Sequence, residues 1–223
     1  MPRYLVLAHA YYEHLWWEIS SRLKKLTPGT FDLYVSHVGF SDNAIETIAH
    51  DFPDVRMRGA ANQGLDVGGM VYLLETFKID LWQYDLILKV HTKNGCGDDW
   101  GSRWRASLLD AVLADPERVF RQFNDPGVVM AGCSPWIVNS MYGNQAKIEM
   151  LCDRMKLDRK LIGSHFVGGT MFWCRPCVLQ PIIDCGLSQK DFEPGYAKDG
   201  LLAHAMERVF GILAARHGRI VGV

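Results

Sequence analysis

The sequence of 223 residues lacks any apolar stretch near the ~18 residues that a membrane-spanning helix needs. Its longest, around Ile212 to Ala215, is interrupted by Arg208 and Arg216, so no membrane span of its own is expected. It also lacks runs of like charge, and 24 Lys+Arg against 25 Asp+Glu leave a formal net charge of -1. That balance removes the electrostatic footprint of a nucleic-acid binder, and no nucleic-acid partner is expected. No internal repeat, low-complexity tract or linker is present. A chain of this length fits within one core, since cores grow to roughly 250–300 residues before chains split. The N-terminal apolar run is short and soon meets His9, Glu13 and His14, unlike a signal peptide, which points to the cytoplasm. Metal or redox spacing among the cysteines is scarce: of Cys96, Cys133, Cys152, Cys174, Cys177 and Cys185, only Cys174 and Cys177 have it. Reduced, mostly buried thiols are the expectation. Neither a P-loop nor a dinucleotide fingerprint occurs.

What is present is alternation. Residues 5–8 read as a buried strand, 13–25 as a helix stopped by Pro28 and Gly29, and 31–36 as a second strand. A helix over 43–52 capped by Asp42, a short strand over 55–58 and a helix over 67–77 follow, and 84–91 is the strongest strand. The second half gives helices over 104–113, 116–123, 145–155, 176–185 and 200–215, with strands over 128–132 and 167–174. Strands alternating with helices predict an α/β fold with a mostly parallel central sheet flanked by helices. In such sheets ligands bind beyond the carboxyl ends of the strands.

Five segments carry residues suited to chemistry. Asn62-Gln-Gly-Leu-Asp-Val-Gly-Gly69 is a glycine-rich loop entering a helix, where backbone amides favour an anion; a tight turn with Asp66 as cap explains it equally well. In Leu86-Ile-Leu-Lys-Val-His-Thr-Lys93, the period of a strand places Lys89, His91 and Lys93 on one side. Cations in so apolar a setting need an anionic partner, either a ligand such as a diphosphate or a structural carboxylate. Arg103, Trp104 and Arg105 open a predicted helix, where positive charge opposes the macrodipole and suits an anion better than the helix. Phe166-Val-Gly-Gly-Thr-Met-Phe-Trp173 brings a glycine pair to an aromatic strand, suited to a sugar or base, or to core packing. Asp199, ahead of Gly200-Leu-Leu, is either a helix cap or a general base.

Taken together and in order, four of these stretches resemble the rhamnan synthesis F family of bacterial polysaccharide glycosyltransferases. They are Leu88-Lys-Val-His-Thr-Lys93, Trp104-Arg-x-x-Leu-Leu109, Phe166 to Trp173 followed by Arg175-Pro176, and Asp199-Gly-Leu-Leu-Ala-His-Ala-Met-Glu-Arg208. The resemblance runs from Leu5 to about Ala215. It implies a GT-A-like single domain over 1–223, with a nucleotide- and donor-binding half over about 1–95 and an acceptor-binding, catalytic half over about 96–223. The implied activity is hexosyl or rhamnosyl transfer from a nucleotide-sugar donor to a growing O-antigen, lipopolysaccharide, capsule or rhamnan. A sugar-diphosphate donor such as phosphoribosyl diphosphate, or an inactive nucleotide- or glycan-binding module, are the alternatives.

Carried onto this sequence, the resemblance assigns the donor to His9, Tyr11, Asn62, Gly64, Asp66, Lys89 and Arg105. It assigns catalysis to Asp199 as base, with His91 and Lys93 holding the leaving diphosphate. The acceptor falls to Gly168, Gly169, Trp173 and Glu193, with Glu193 as reserve base. The Asp-x-Asp metal motif usual in GT-A enzymes is absent where Lys89-Val-His-Thr-Lys93 stands, and Asp98-Asp99 is a poor substitute. No cofactor is therefore required, and a divalent metal is the alternative. The implied acceptor is a lipid-linked glycan at the inner face of the cytoplasmic membrane, and the sequence permits, without specifying, that the chain is part of a larger multi-transferase protein.

Overall fold

The computed structural model describes residues 2–26, 30–94 and 99–223. Pro28, Gly29, Cys96 and Asp98, each singled out above, lie outside the described residues. The first half runs β1 (Tyr4–Ala10), α1 (Trp16–Leu23), β2 (Phe31–His37), α2 (Asp42–Asp51), β3 (Arg56–Gly59), α3 (Leu65–Phe77) and β4 (Leu86–His91). The second runs α4 (Asp99–Leu113), α5 (Pro116–Gln122), β5 (Val128–Gly132), β6 (Ile137–Val138), α6 (Gln145–Arg154), β7 (Phe166–Val167), β8 (Phe172–Cys174), α7 (Pro176–Asp184), α8 (Leu202–His217) and β9 (Arg219–Gly222).

Seven strands form one sheet in the order β3-β2-β1-β4-β8-β5-β9. All neighbours pair parallel except β8, which is antiparallel to both β4 and β5. Strand order reverses beside β1, because the chain leaves it for β2 on one side and returns to β4 on the other. Such a reversal opens a crevice at the carboxyl ends of the two strands. His9 and His91 lie side by side there in direct register.

Period 2 divides the strands between two cores. Leu5, Leu7 and Ile87 pack with α3, α6, α7 and α8 on one face, while Tyr4, Val6, Ala8, Leu86, Leu88 and Val90 pack against the other. The second face is closed by residues of α1, α2, α4 and α5, among them Ile19, Ile48, Leu108 and Val119. Lys89 and His91 share the parity of Ile87, so both project toward α3.

Several boundaries differ from the sequence expectation. The strand expected over 167–174 is two strands: β7 pairs with β6 in a separate ribbon, and β8 lies in the central sheet. Gly169 (φ 83) and Thr170 (φ 50) both adopt left-handed backbone, which turns the chain from one sheet to the other. Helix α4 begins at Asp99, about a turn before the expected start, so Arg103 and Arg105 do not open it and the macrodipole argument does not apply to them. Ser41, not Asp42, caps α2 by accepting from the Ala44 amide. The final residues after α8 form β9, parallel to β5.

Candidate active site

The crevice between β1 and β4 is built around a buried ion pair. Lys89, 1% exposed, donates to Asp66 Oδ2 at 2.5 Å, to Thr170 Oγ1 at 2.9 Å and to the Thr170 carbonyl at 3.1 Å. Thr170 Oγ1 also donates to Asp66 Oδ2 at 2.5 Å. Asp66 enters from the first turn of α3, Lys89 from β4, and Thr170 from the turn before β8. Three distant segments thus meet on one carboxylate oxygen. Burial by itself would raise Asp66, but the Lys89 ammonium beside it and the hydrogen bonds from Lys89 and Thr170 outweigh it and hold the carboxyl well below its usual range.

His91 Nδ1 lies 3.5 Å from Asp66 Oδ2, beyond good hydrogen-bond geometry, and has no hydrogen-bond partner among the described residues. Burial pushes His91 well below its ordinary value despite Asp66, so the ring is neutral. His9 is also neutral. Its Nδ1 is 2.9 Å from Ser36 Oγ, which donates to the Gly69 carbonyl at 3.0 Å, and burial lowers its pKa to about 4. Helix α3 approaches β1 this closely only because residue 69 is glycine. A Cβ there would lie 2.0 Å from His9 Nδ1.

The three cations expected on one strand face therefore divide. Lys89 is neutralised by Asp66, and His91 is uncharged. Lys93 lies past the end of β4, where strand alternation no longer holds, with its Nζ 3.9 Å from the centroid of the Trp104 ring on α4. Its charge still acts on His91 and on Glu207.

Glu207, on α8, is the chief residue the sequence reading did not select. Its Oε1 accepts the Gly169 amide at 2.7 Å and its Oε2 accepts Arg208 Nη1 at 2.7 Å. Burial raises its pKa against the pull of Arg208 and the Gly169 amide, and Asp66 raises it further. Glu207 stands in the last quoted motif, but no spacing rule marked it apart from the helix around it. Thr170 stood in the Gly-Gly-Thr stretch and was likewise unmarked.

Asp199 does not cap α8. The Leu202 amide donates to Glu193 Oε2 at 2.8 Å, and the Leu201 amide donates to His204 Nδ1 at 3.1 Å. Asp199 Oδ1 instead accepts from Asn144 Nδ2 at 2.9 Å and lies 3.8 Å from His204 Nδ1. Burial pushes Asp199 up, yet the Asn144 and Gly200 hydrogen bonds and the charge of Arg208 prevail and hold it low. It is an ionised, part-exposed carboxylate. His204 feels both Asp199 and Asp66, which joins the start of α8 to the crevice.

Other selected residues have structural duties. Glu193 pairs with Lys147 at 2.6 Å in addition to capping α8, so both its oxygens are engaged. Arg105 forks onto Glu18 at 2.9 and 3.0 Å and donates to the Lys93 carbonyl at 3.0 Å; these bonds engage its guanidinium with protein groups. Trp173 is fully buried, bonds the Val112 carbonyl at 2.8 Å and packs on Tyr4 and Phe120. The aromatic stretch is core at this position and presents no surface to a glycan. Gly168 and Gly169 form the turn that carries Thr170.

Tyr11 is exposed beside the crevice, and Thr92 Oγ1 accepts both its amide and that of Tyr12 at 2.9 Å. Asn62 and Gly64 belong to a loop sewn to the segment bearing Glu193. The Asn62 carbonyl accepts the Gly195 amide at 3.4 Å, the Gly64 amide bonds the Glu193 carbonyl at 3.2 Å, and Gln63 Nε2 bonds the Phe192 carbonyl at 2.6 Å.

Asp66 Oδ2 is engaged by an ammonium and a hydroxyl, and among the described residues no group of three His, Cys, Asp or Glu side chains is disposed to hold a metal ion. The described cysteines offer no reactive thiolate. Burial raises Cys174 well above its ordinary value, and Cys133, Cys152, Cys177 and Cys185 are also raised. A surface cleft of about 400 Å³ among α6, α7 and α8 is lined by Trp82, Arg154, Cys177 and Arg216 and contains none of the residues discussed as the site.

A family model described as rhamnan synthesis protein F matches residues 2–218. Two proteins from strains of Xanthomonas campestris pv. campestris, both named uncharacterized protein WxcX, are 32% and 31% identical over 173 residues, 74% of this chain and 24% of theirs. The chain thus spans about a quarter of the length of the curated relatives it matches. Among solved structures, mannosyltransferase PcManGT from Pyrobaculum calidifontis in complex with GDP-Man and Mn2+ is 14% identical, with 100% of this chain and 55% of that one covered at a TM-score of 0.47. Mouse xyloside xylosyltransferase 1, apo form, is 9% identical with a TM-score of 0.32, over 100% of this chain and 85% of that one. The strand order above is established independently of those two structures. With the family model matching nearly its whole length, the chain belongs to the rhamnan synthesis protein F family.

Proposed function

We propose that this chain is a glycosyltransferase module that moves a sugar, rhamnose or a related hexose, from a nucleotide-sugar donor to a growing bacterial surface polysaccharide. The observation that carries this reading is the convergence of three family motifs on one crevice. Asp66, Lys89 and Thr170 lock together at the strand-order reversal, with Lys93, Glu207 and Asp199 around them. Among the described residues no helix is long and apolar enough to cross a membrane, and in this reading a lipid-linked acceptor is met through the substrate or through other parts of a longer protein.

In this reading the donor diphosphate lies at the ends of β1 and β4, with Lys93 balancing its charge. Neutral His91 supplies a hydrogen-bonding ring in place of the cation expected from sequence. The acceptor hydroxyl oxygen attacks the anomeric carbon, the bond from that carbon to the diphosphate oxygen breaks, and the hydroxyl proton passes to Asp199. Asn144 fixes Asp199 for this task, and Glu193 leaves it free by capping α8. Purified protein incubated with a panel of nucleotide-sugars and rhamno-oligosaccharide acceptors is expected to release nucleoside diphosphate. Asp199→Asn is expected to lower turnover about a hundredfold or more while donor binding persists. Full turnover by that variant would remove Asp199 as base, and no donor turnover by the wild type with any pair would remove the transfer reading.

A further inference from the structure

Beside the crevice stand three tryptophans that no step above uses. Trp100 and Trp104 lie on α4, and Trp136 lies between β5 and β6. Their ring centroids are 5.2 Å (Trp100 to Trp104), 5.2 Å (Trp104 to Trp136) and 5.9 Å (Trp100 to Trp136) apart. Trp100 is 52% exposed, as Trp17 and Trp82 are at 63%, but it stands in a cluster of indoles rather than singly.

This wall is continuous with the site. The Trp136 carbonyl accepts the Gly168 amide at 2.8 Å, and the next residue, Gly169, donates to Glu207. A Cβ on Gly169 would approach the Trp104 ring to 3.3 Å, so the turn presses directly on the indole. Lys93 Nζ sits over that same ring. The wall, the turn bearing Thr170 and the Glu207 carboxylate therefore form one surface. Trp136 Nε1, 3.2 Å from Ser107 Oγ, fixes the wall further to α4.

We propose that this indole wall is the seat for a pyranose ring of the acceptor glycan, stacked on the exposed face of Trp100. A pyranose has an apolar C–H face and a rim of hydroxyls, which suits a rigid aromatic surface bordered by a few polar groups. The wall belongs to α4 and the β5–β6 connection, across β4 from Tyr11 and the glycine-rich loop. The donor's nucleotide is assigned to that opposite side, which leaves the wall to the other sugar-bearing substrate. This inference rests on the sugar-transfer reading for the identity of its ligand, and its test is direct binding.

The whole chain is titrated calorimetrically with rhamno-oligosaccharides of increasing length, and separately with nucleoside diphosphates. Trp100→Ala is expected to weaken oligosaccharide binding about tenfold, the loss of one aromatic stacking contact. Trp100→Phe is expected to restore most of it, and nucleoside diphosphate affinity is expected to stay unchanged in both. Unchanged oligosaccharide affinity in Trp100→Ala, a loss of nucleotide affinity in its place, or no oligosaccharide binding by the wild type would each overturn the proposal. A wild type that binds the oligosaccharide through Trp100 but neither binds nor turns over any nucleotide-sugar would keep the seat and remove the transfer reading.

Discussion

His9 and Lys89 are buried in the same crevice and respond to it in opposite ways: the imidazole stays neutral, and the ammonium recruits a carboxylate. For His9, a pKa of about 4 in the folded chain against 6.5 for the free side chain fixes the sign of its effect. The unfolded chain binds the proton more readily, so the stability contribution is fully present above pH 6.5 and is lost as pH falls toward 4. The gap between the two values corresponds to about 3 kcal/mol. Urea midpoints recorded from pH 7 to 4.5 should fall, and His9→Asn, which keeps a donor for Ser36, should flatten part of that slope; equal slopes would show that His9 is not responsible. For Lys89, removing one member of the pair leaves an uncompensated buried charge, which costs about 3–5 kcal/mol. Lys89→Met and Asp66→Asn should each destabilise on that scale, and the double variant should lose clearly less than their sum. Additive losses in the cycle would show that the two groups act independently.

The turn between β7 and β8 is the element on which the site depends. It hangs from Glu207 through the Gly169 amide and delivers Thr170 to Asp66 and Lys89. Glu207→Gln keeps the shape but weakens the acceptor that holds the amide, so kcat should fall about tenfold or more while the melting temperature changes little. A fall in melting temperature with kcat preserved would reduce Glu207 to a structural residue. The alternation of strands and helices was legible because buried strands and amphipathic helices carry strong periodic signals, and Lys89 and His91 could be placed on one face by period 2. Lys93 could not, because the strand ends at His91 and periodicity ends with it. Thr170 gave no signal because left-handed backbone at a non-glycine residue is imposed by tertiary contacts. Asp199 was ambiguous for a related reason. Whether it caps α8 depends on Glu193 and His204, whose folded positions no local rule supplies. Trp173 shows the converse, since aromatic composition alone does not separate a core residue from a sugar platform.

At the scale of the whole molecule, the central sheet runs continuously from the expected donor half into the expected acceptor half. Strand β8, from the second half, hydrogen-bonds directly to β4 of the first, and α8 packs with α3 in one core. The ion pair at the crevice also needs both halves, because Asp66 and Lys89 precede residue 95 while Thr170 follows it. Neither half could bury its share of the sheet alone: without β8 the β4 edge would expose unpaired amides and carbonyls, and without α8 the apolar face of α3 would meet water. The chain should therefore unfold in one cooperative step, with helical circular dichroism and tryptophan fluorescence giving coincident urea transitions. Both probes sample both halves, since Trp16, Trp17 and Trp82 precede β4, Trp100, Trp104, Trp136 and Trp173 follow it, and circular dichroism reads helices on either side. Two separated transitions would mean that the sheet divides between β4 and β8, and that the site is assembled by docking two independently folded halves.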